Sequence, residues 1–259
     1  MRLGIMIEAQ EGLTSDRWRE IARMTEDLGF DSLWRSDHFF SLFGDRRQPS
    51  LETWVSLTML AQETKRIRFG ILVSPITFRH PSLVARMAAQ VDLLSGGRLE
   101  VGVGAGWNAV EYEAFGIPFP PRRTRFDMME EGIQVMQALW SGGPANFEGQ
   151  HYSLKEALCY PMPAQSPLPL VVGGTGEHRT LGMAARYAQH WNAAGSLTAA
   201  EYPDKLEALR RHCAEIGRDP SEIWISKMAG FAIGRDEKEL REYAARISAS
   251  APGRAPRPC

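Results

Sequence analysis

An imidazole, a bending apolar run and two strings of glycine carry most of the chemical content of this sequence. His38 stands within the segment WRSDHFF at residues 34–40, just past a short apolar-rich run that reads as a strand. A histidine titrates near neutral pH and can take or return a proton at a reacting centre. Taken alone it reads equally as a hydrogen-bonded structural residue, and Asp37 beside it either orients the ring or caps a turn. Further on, Gly102-Val103-Gly104-Ala105-Gly106-Trp107-Asn108 leaves backbone bare where a flat or phosphorylated ligand would need close approach. A tight turn needs the same glycines, and no acidic residue completes a dinucleotide-binding fingerprint around them. The second string, Val171-Val172-Gly173-Gly174-Thr175-Gly176-Glu177-His178-Arg179, opens a helix. Free amides, a helix dipole and a guanidinium together suit a phosphate there. The run FGILVSPITFRHP at residues 69–81 is apolar and then bends, as a buried strand before a Pro-rich loop does, or as backbone laid against an aromatic ring does.

Other chemistries lose support. The six histidines include no HExxH or other metal-ligand spacing, and neither a G-x-S-x-G elbow nor a Walker motif occurs. With 30 Lys+Arg against 31 Asp+Glu the formal net charge is −1, so no basic field favours a nucleic acid or an anionic membrane, and a small-molecule substrate is expected. Cys159, Cys213 and Cys259 are widely spaced, without the even framework of a secreted domain. Glu8 interrupts the N-terminal apolar run, and no stretch of 18 apolar residues occurs. The expectation is a soluble cytoplasmic protein.

The elements that must position these residues alternate in type. Short buried-strand runs at 2–7, 32–35, 67–73, 99–105, 168–172, 190–194 and 223–233 are each followed by a helical period, the signature of parallel α/β architecture. The first helix shows the pattern clearly. Thr14 or Ser15 caps it, Trp18, Ile21, Ala22, Thr25 and Leu28 share one face, and Gly29 stands at its C-terminal end. Residues 107–167 read as an insertion holding one helix and a hairpin, and a helix is expected over 177–189. The fold class is α/β, a (β/α)8-type TIM barrel, but the seven strand candidates leave the eighth βα unit lacking. One barrel domain is expected over 1–249, with residues 250–259 (SAPGRAPRPC) as a disordered tail.

Four segments together, WRSDHFF, IRFGILVSPITFRHP, LSGGRLEVGVGAGW and VVGGTGEHRTLGMAARYAQHWN, resemble the luciferase-like monooxygenase family, most closely its branch using coenzyme F420. The resemblance covers about residues 1–233. It implies a cofactor ring at the C-terminal mouth of the barrel, with His38 near its reactive face. It also implies a bulge with a cis peptide behind the ring, near Leu72, Val73 and Ser74. Gly104, Ala105, Gly106 and Trp107 would line the ring or its side chain. Gly173, Gly174 and Thr175 would hold the phosphate, with Arg179 as a helper. Two departures limit the transfer. Trp107 stands where some sugar-phosphate dehydrogenases of this branch keep a catalytic glutamate, and the eighth unit is lacking. The implied function is hydride transfer between coenzyme F420 and an organic small molecule, with His38 and Asp37 as the catalytic pair. The alternatives are an FMN-dependent monooxygenase of the same family, or a non-catalytic, vestigial cofactor-binding barrel. A homodimer is compatible with either.

Overall fold

A computed structural model describes the backbone of residues 1–250 and the side chains of residues 1–245. In chain order the elements are β1 (Gly4–Ile7), α1 (Ser15–Asp27), β2 (Ser32–Arg35), α2 (Thr53–Glu63), β3 (Arg68–Ile71), β4 (Ser74–Pro75), α3 (Pro81–Ser95), β5 (Leu99–Gly104), α4 (Ala109–Ala114), α5 (Arg122–Leu139), β6 (Ala145–Glu148), β7 (Ser153–Ala157), β8 (Leu170–Gly173), α6 (Thr180–Tyr187), β9 (His190–Ala193), α7 (Tyr202–Glu215), β10 (Trp224–Lys227) and α8 (Glu237–Ser250). The main sheet is parallel and ordered β1-β2-β3-β5-β8-β9-β10, with β4 beside β5. It curls like a barrel, but among the described residues no pairing joins β1 to β10. The described residues thus form a partial (β/α)8 barrel that lacks the eighth βα unit, as expected, with β4 continuing β3. Arg2 lies over the Trp224 ring at 4.7 Å, so the two edges face each other at the N-terminal ends of their strands.

Local signals explain the helices that cover the sheet. Thr14 accepts a hydrogen bond from the Arg17 amide at 3.3 Å and caps α1, and Trp18 donates its indole N–H to the Ser56 carbonyl at 2.9 Å, pinning α1 to α2. Pro81 opens α3, and Gly96, at φ +67°, closes it in the left-handed conformation that glycine reaches without cost. The outward strand residues Leu33, Phe69, Val101, Val103, Val172 and Trp191 are buried in one apolar cluster with helix residues such as Leu57, Ala88, Ile133 and Met183. Each such large side chain stabilises the layer by about 1.5–3 kcal/mol.

The interior of the barrel is instead polar. Glu100 accepts from Arg68 Nε at 2.7 Å and from His190 Nδ1 at 2.9 Å, His190 Nε2 meets Ser226 Oγ at 2.6 Å, and Trp34 packs against the His190 ring at 5.8 Å. Burial alone would raise the Glu100 carboxyl, but His190 and Arg68 outweigh it and hold the group below the usual carboxylate range.

Several boundaries depart from the sequence reading. The third strand stops at Ile71, turns through a cis Leu72–Val73 peptide, and resumes as β4. The last strand is Trp224–Lys227, far shorter than 223–233. It pairs on one side only, and once β9 ends at Ala193 there is no ladder to extend beyond the Met228 amide. The helix after β8 begins at Thr180 and not at residue 177, because residues 174–176 form no regular structure and a turn over 177–179 precedes the helix. The insertion holds α4, α5 and a hairpin of β6 and β7 with Phe147 opposite Leu154. Ser250 ends α8, and the rest of the expected tail, 251–259, lies outside the described residues.

Candidate active site

His38 follows β2 at the mouth formed by the strands' C-terminal ends, where barrel folds expose their loops. Its Nδ1 is 2.7 Å from Oε2 of Glu111 on α4, a residue with no solvent exposure. The same carboxyl accepts from the Phe39 amide at 2.7 Å and from Asn108 Nδ2 at 2.8 Å. Those two groups can only donate; in the tautomer that donates from Nδ1 to the same carboxyl, Nε2 of His38 is left as the free acceptor. Among the described residues Nε2 has no partner. The ring meets Trp107 edge-on at 5.9 Å, and Trp107 itself is 68% exposed at the rim. Phe39 is wedged between Phe78 and Phe115, both at 4.3 Å, which fixes the backbone on which His38 stands.

Asp37 does not orient His38. Its carboxylate accepts from Ser74 Oγ at 2.6 Å, Thr53 Oγ1 at 2.8 Å and Arg79 Nη1 at 2.6 Å, and Arg79 continues to Glu52 at 2.6 Å. Burial would raise this carboxyl, yet the Arg79 charge and the hydroxyl donors outweigh it and hold it below its ordinary range. Asp37 thus ties β2 to α2, β4 and the loop before α3. Its expected place beside His38 in chemistry is corrected to one in scaffolding, and Ser74 belongs to the same network.

Behind the mouth, the Val73 side chain projects between glycines of β5 and β8. A Cβ added to Gly104 would lie 2.6 Å from Val73 Cγ2, and one added to Gly173 would lie 2.7 Å from Val73 Cγ1. The Leu72 amide donates to the Arg35 carbonyl at 2.8 Å, which anchors the other side of the bulge to β2. Glycines that read as ligand cradles therefore first make room for the bulge. Gly106 has φ +75° and stands against the Tyr112 hydroxyl, while the Ala105 carbonyl accepts from Arg125 Nε at 3.2 Å. Val73, Gly104 and Gly173 thus meet at one point behind the mouth where His38 and Trp107 stand.

At the end of β8, Gly174 has φ +121°, its amide donates to the Asn192 carbonyl at 3.1 Å, and its carbonyl accepts the Trp191 indole N–H at 2.8 Å. The amides of Thr175, Gly176, Glu177 and His178 have no partner among the described residues. This is a surface of bare donors suited to an anion. Arg179 takes part less directly than expected, since it is paired with Asp127 at 2.7 Å and lies over Phe126 at 5.7 Å.

Glu111 is the residue that sequence reasoning missed. The only local signal for it is an acidic residue next to Tyr112 on a short helix opened by Asn108, with both Glu111 and Tyr112 fully buried.

Comparison with known proteins agrees with this geometry. The family model described as luciferase-like monooxygenase matches residues 1–258. The chain is 32% identical over 203 residues to an F420-dependent glucose-6-phosphate dehydrogenase of Amycolatopsis mediterranei (strain U-32), covering 76% of this chain and 58% of that protein. It is 31% identical over 238 residues to an F420-dependent hydroxymycolic acid dehydrogenase of Mycobacterium tuberculosis (strain ATCC 25618 / H37Rv), covering 91% and 64% respectively. It therefore spans less than two thirds of either relative's length. Among solved structures, an F420-dependent secondary alcohol dehydrogenase in complex with an F420-acetone adduct superposes with a TM-score of 0.84 at 26% identity, over 95% of this chain and 73% of that one. No helix among the described residues is long and apolar enough to cross a membrane. By the family match over residues 1–258, the chain belongs to the luciferase-like monooxygenase family.

Proposed function

We propose that this protein is an oxidoreductase that moves a hydride between coenzyme F420 and an organic small molecule, with His38 taking or returning the accompanying proton. The observation that carries the proposal is the His38–Glu111 pair, which holds Nδ1 at 2.7 Å from a buried carboxylate and leaves Nε2 free at the barrel mouth. The residues present fit the cofactor: Val73 and its glycine surround form a backing at the mouth, and bare amides at 175–178 form an anion site at its side. When bound, the deazaflavin supplies a ring that accepts or gives a hydride. Val73, Gly104 and Gly173 would lie behind that ring, and Gly174, Thr175 and their neighbouring amides would hold the phosphate.

The work of the protein's own groups follows. A hydroxyl oxidised to a carbonyl loses a hydride from carbon and a proton from oxygen. The unprotonated Nε2 of His38 accepts that proton, and the buried Glu111 carboxylate stabilises the resulting imidazolium. In the reverse direction the same atom returns it. Trp107 and the Phe39, Phe78 and Phe115 cluster present an apolar, aromatic wall beside the histidine, which suits a substrate with little charge. A non-catalytic barrel would have no need of a buried carboxylate aimed at a histidine whose second nitrogen is free.

The test is titration of the purified protein with F420 and separately with FMN, following cofactor fluorescence, and then loss of F420 absorbance with a panel of alcohols. Preferential F420 binding and His38-dependent reduction are the expected results. Binding of FMN alone, with oxygen consumption, would replace this reading by the monooxygenase one, and binding of neither by the non-catalytic one.

A further inference from the structure

Away from the mouth, three side chains form a relay that the proposed hydride transfer does not use. Ser226 Oγ lies 2.6 Å from His190 Nε2, and His190 Nδ1 lies 2.9 Å from Oε2 of Glu100. Arg68 Nε donates to the other oxygen of that carboxylate at 2.7 Å. An ionised carboxylate can only accept, so His190 donates from Nδ1, and the neutral ring then offers Nε2 as an acceptor. Asn192 Nδ2 donates to Ser226 Oγ at 2.8 Å, which leaves the hydroxyl's own hydrogen for His190. A hydroxyl, an imidazole and a carboxylate joined in that order activate the hydroxyl oxygen, because the ring takes its proton as it attacks.

The fold supplies both rigidity and access. Glu100, His190 and Ser226 stand on β5, β9 and β10, with Ser226 opposite Asn192 in the ladder. Trp34 packs edge-on against the His190 ring at 5.8 Å and fixes its plane. Glu100 and His190 are buried, whereas Ser226 is half-buried. Among the described residues no strand pairs with the free edge of β10, so Oγ is approached through the seam between β10 and β1. Trp224, two residues before Ser226 and therefore on the same face, flanks that approach with Arg2 over its ring at 4.7 Å. Glu100 and His190 lie near the N-terminal ends of their strands, while His38 follows the C-terminal end of β2. The two sites are thus at opposite ends of the barrel. An ion pair of Glu100 with Arg68 needs neither an imidazole between strands nor a reachable hydroxyl aligned on it.

We propose that Ser226 is the nucleophile of a second, hydrolytic site, with His190 as its general base and Glu100 as the residue that positions the ring, acting on short-chain carboxylic esters. Ser226 Oγ bonds to the acyl carbon, and its proton passes to His190 Nε2. The bond from acyl carbon to alkoxy oxygen breaks, and the same proton leaves with the alcohol. Water, deprotonated by His190, then attacks the acyl group, releases the carboxylic acid and restores the hydroxyl. No electrons are exchanged with a cofactor. Asn192 Nδ2 has a second hydrogen to give to the carbonyl oxygen as it becomes negative. The acyl group must be short because the attacking oxygen is itself half-buried.

The experiment treats the full chain with an alkyl fluorophosphonate, in which Oγ replaces fluoride on phosphorus, and locates the adduct by peptide mass spectrometry. Hydrolysis of p-nitrophenyl acetate is measured in parallel, with circular dichroism to establish folding. Wild type should carry the phosphonyl group at Ser226. Ser226→Ala should lose that label and reduce hydrolysis by at least about tenfold. Glu100→Gln keeps the shape without the charge, and should lower kcat by about 10²-fold or more while KM stays within about threefold. Ser82→Ala is the control, since the Ser82 hydroxyl also meets a histidine, His80 Nδ1 at 2.7 Å, but on the exposed start of α3; it should match wild type. An unlabelled Ser226 in wild type overturns the proposal, as does hydrolysis by Ser226→Ala or Glu100→Gln at the wild-type rate. The label is read on the unaltered chain, so it decides the matter even where Glu100→Gln fails to fold.

Discussion

Val73 Cγ2 stands 2.6 Å from the position that a Cβ on Gly104 would take, and Val73 Cγ1 is 2.7 Å from the corresponding point on Gly173. One aliphatic side chain, carried inward by the turn between β3 and β4, thus explains two glycines on two other strands. On the proposed deazaflavin reading, the backing behind the ring would be set by the protein's own packing, a form of preorganisation.

The coupling between Val73 and Gly104 is measurable. Gly104→Ala should cost about 1–3 kcal/mol by overpacking, and much less in a Val73→Ala background, where the opposing methyls are gone. A double-mutant cycle by chemical denaturation should give a coupling of at least about 0.5 kcal/mol. Equal costs in both backgrounds would show that Gly104 is fixed by something other than Val73.

The His38–Glu111 pair makes a kinetic prediction. His38→Ala should lower kcat by about 10²- to 10⁴-fold, the range for loss of a general base, with cofactor affinity within severalfold of wild type. Glu111→Gln keeps the shape but removes the charge that favours imidazolium. Its kcat should fall by a smaller factor than that of His38→Ala, because the ring keeps its hydrogen bond but loses the charge beside it. Turnover in Glu111→Gln equal to that of wild type would reduce Glu111 to a packing residue.

The strand and helix alternation, the position of the bulge at Leu72 and Val73, and the mouth containing His38 were all legible in sequence. Each rests on local patterning: apolar runs, caps, Gly and Pro punctuation, and the resemblance of four segments. Long-range pairing was not legible. Glu111 lies 73 residues from His38, and nothing in EYEAFG announces that its first carboxylate is buried under another element. Asp37 misled for the opposite reason. Adjacency in sequence suggested a partner for His38, but past the end of β2 the Asp37 carboxylate turns to Thr53, Ser74 and Arg79. The glycine strings were ambiguous because sequence shows where space is left and not whether a ligand or Val73 fills it. The over-long last strand was read from apolar content alone, whereas a strand also needs a ladder, and β9 ends at Ala193.

Asp37 sets an acid limit on stability. Its carboxyl is held below the ordinary value near 3.9 of an unfolded chain. The stabilisation is therefore complete above about pH 4 and is lost as pH falls through the lowered native value. Asp37→Asn removes the buried one of the two carboxylates paired with the largely buried Arg79 and should cost about 3–5 kcal/mol at neutral pH. The gap between wild type and variant, from urea unfolding at a series of pH values, should hold above about pH 4 and narrow over the interval below it. A gap constant over that interval would mean that Asp37 is not the linked group.

The turn proposed to hold the phosphate yields a prediction that separates binding from chemistry. Gly174 sits at φ +121°, where a side chain is strained, and a Cβ there would lie 3.3 Å from Thr180 Cγ2. Gly174→Val would force the backbone out of a conformation costing about 1–3 kcal/mol for a residue other than glycine, and so turn the amides at 175–178 away from a shared focus. At about 1.4 kcal/mol per tenfold, cofactor affinity should fall by about an order of magnitude or more. His38, Glu111 and Val73 lie on other elements, so turnover at saturating cofactor should stay within about twofold. Arg179→Ala gives the contrast. Because Arg179 is already paired with Asp127, its loss should change affinity by no more than about threefold. The two variants are compared with wild type by fluorescence titration and by saturated turnover, with melting curves to exclude unfolding. If Gly174→Val binds as wild type does while Arg179→Ala does not, the anion is held by the guanidinium and the turn is only a turn.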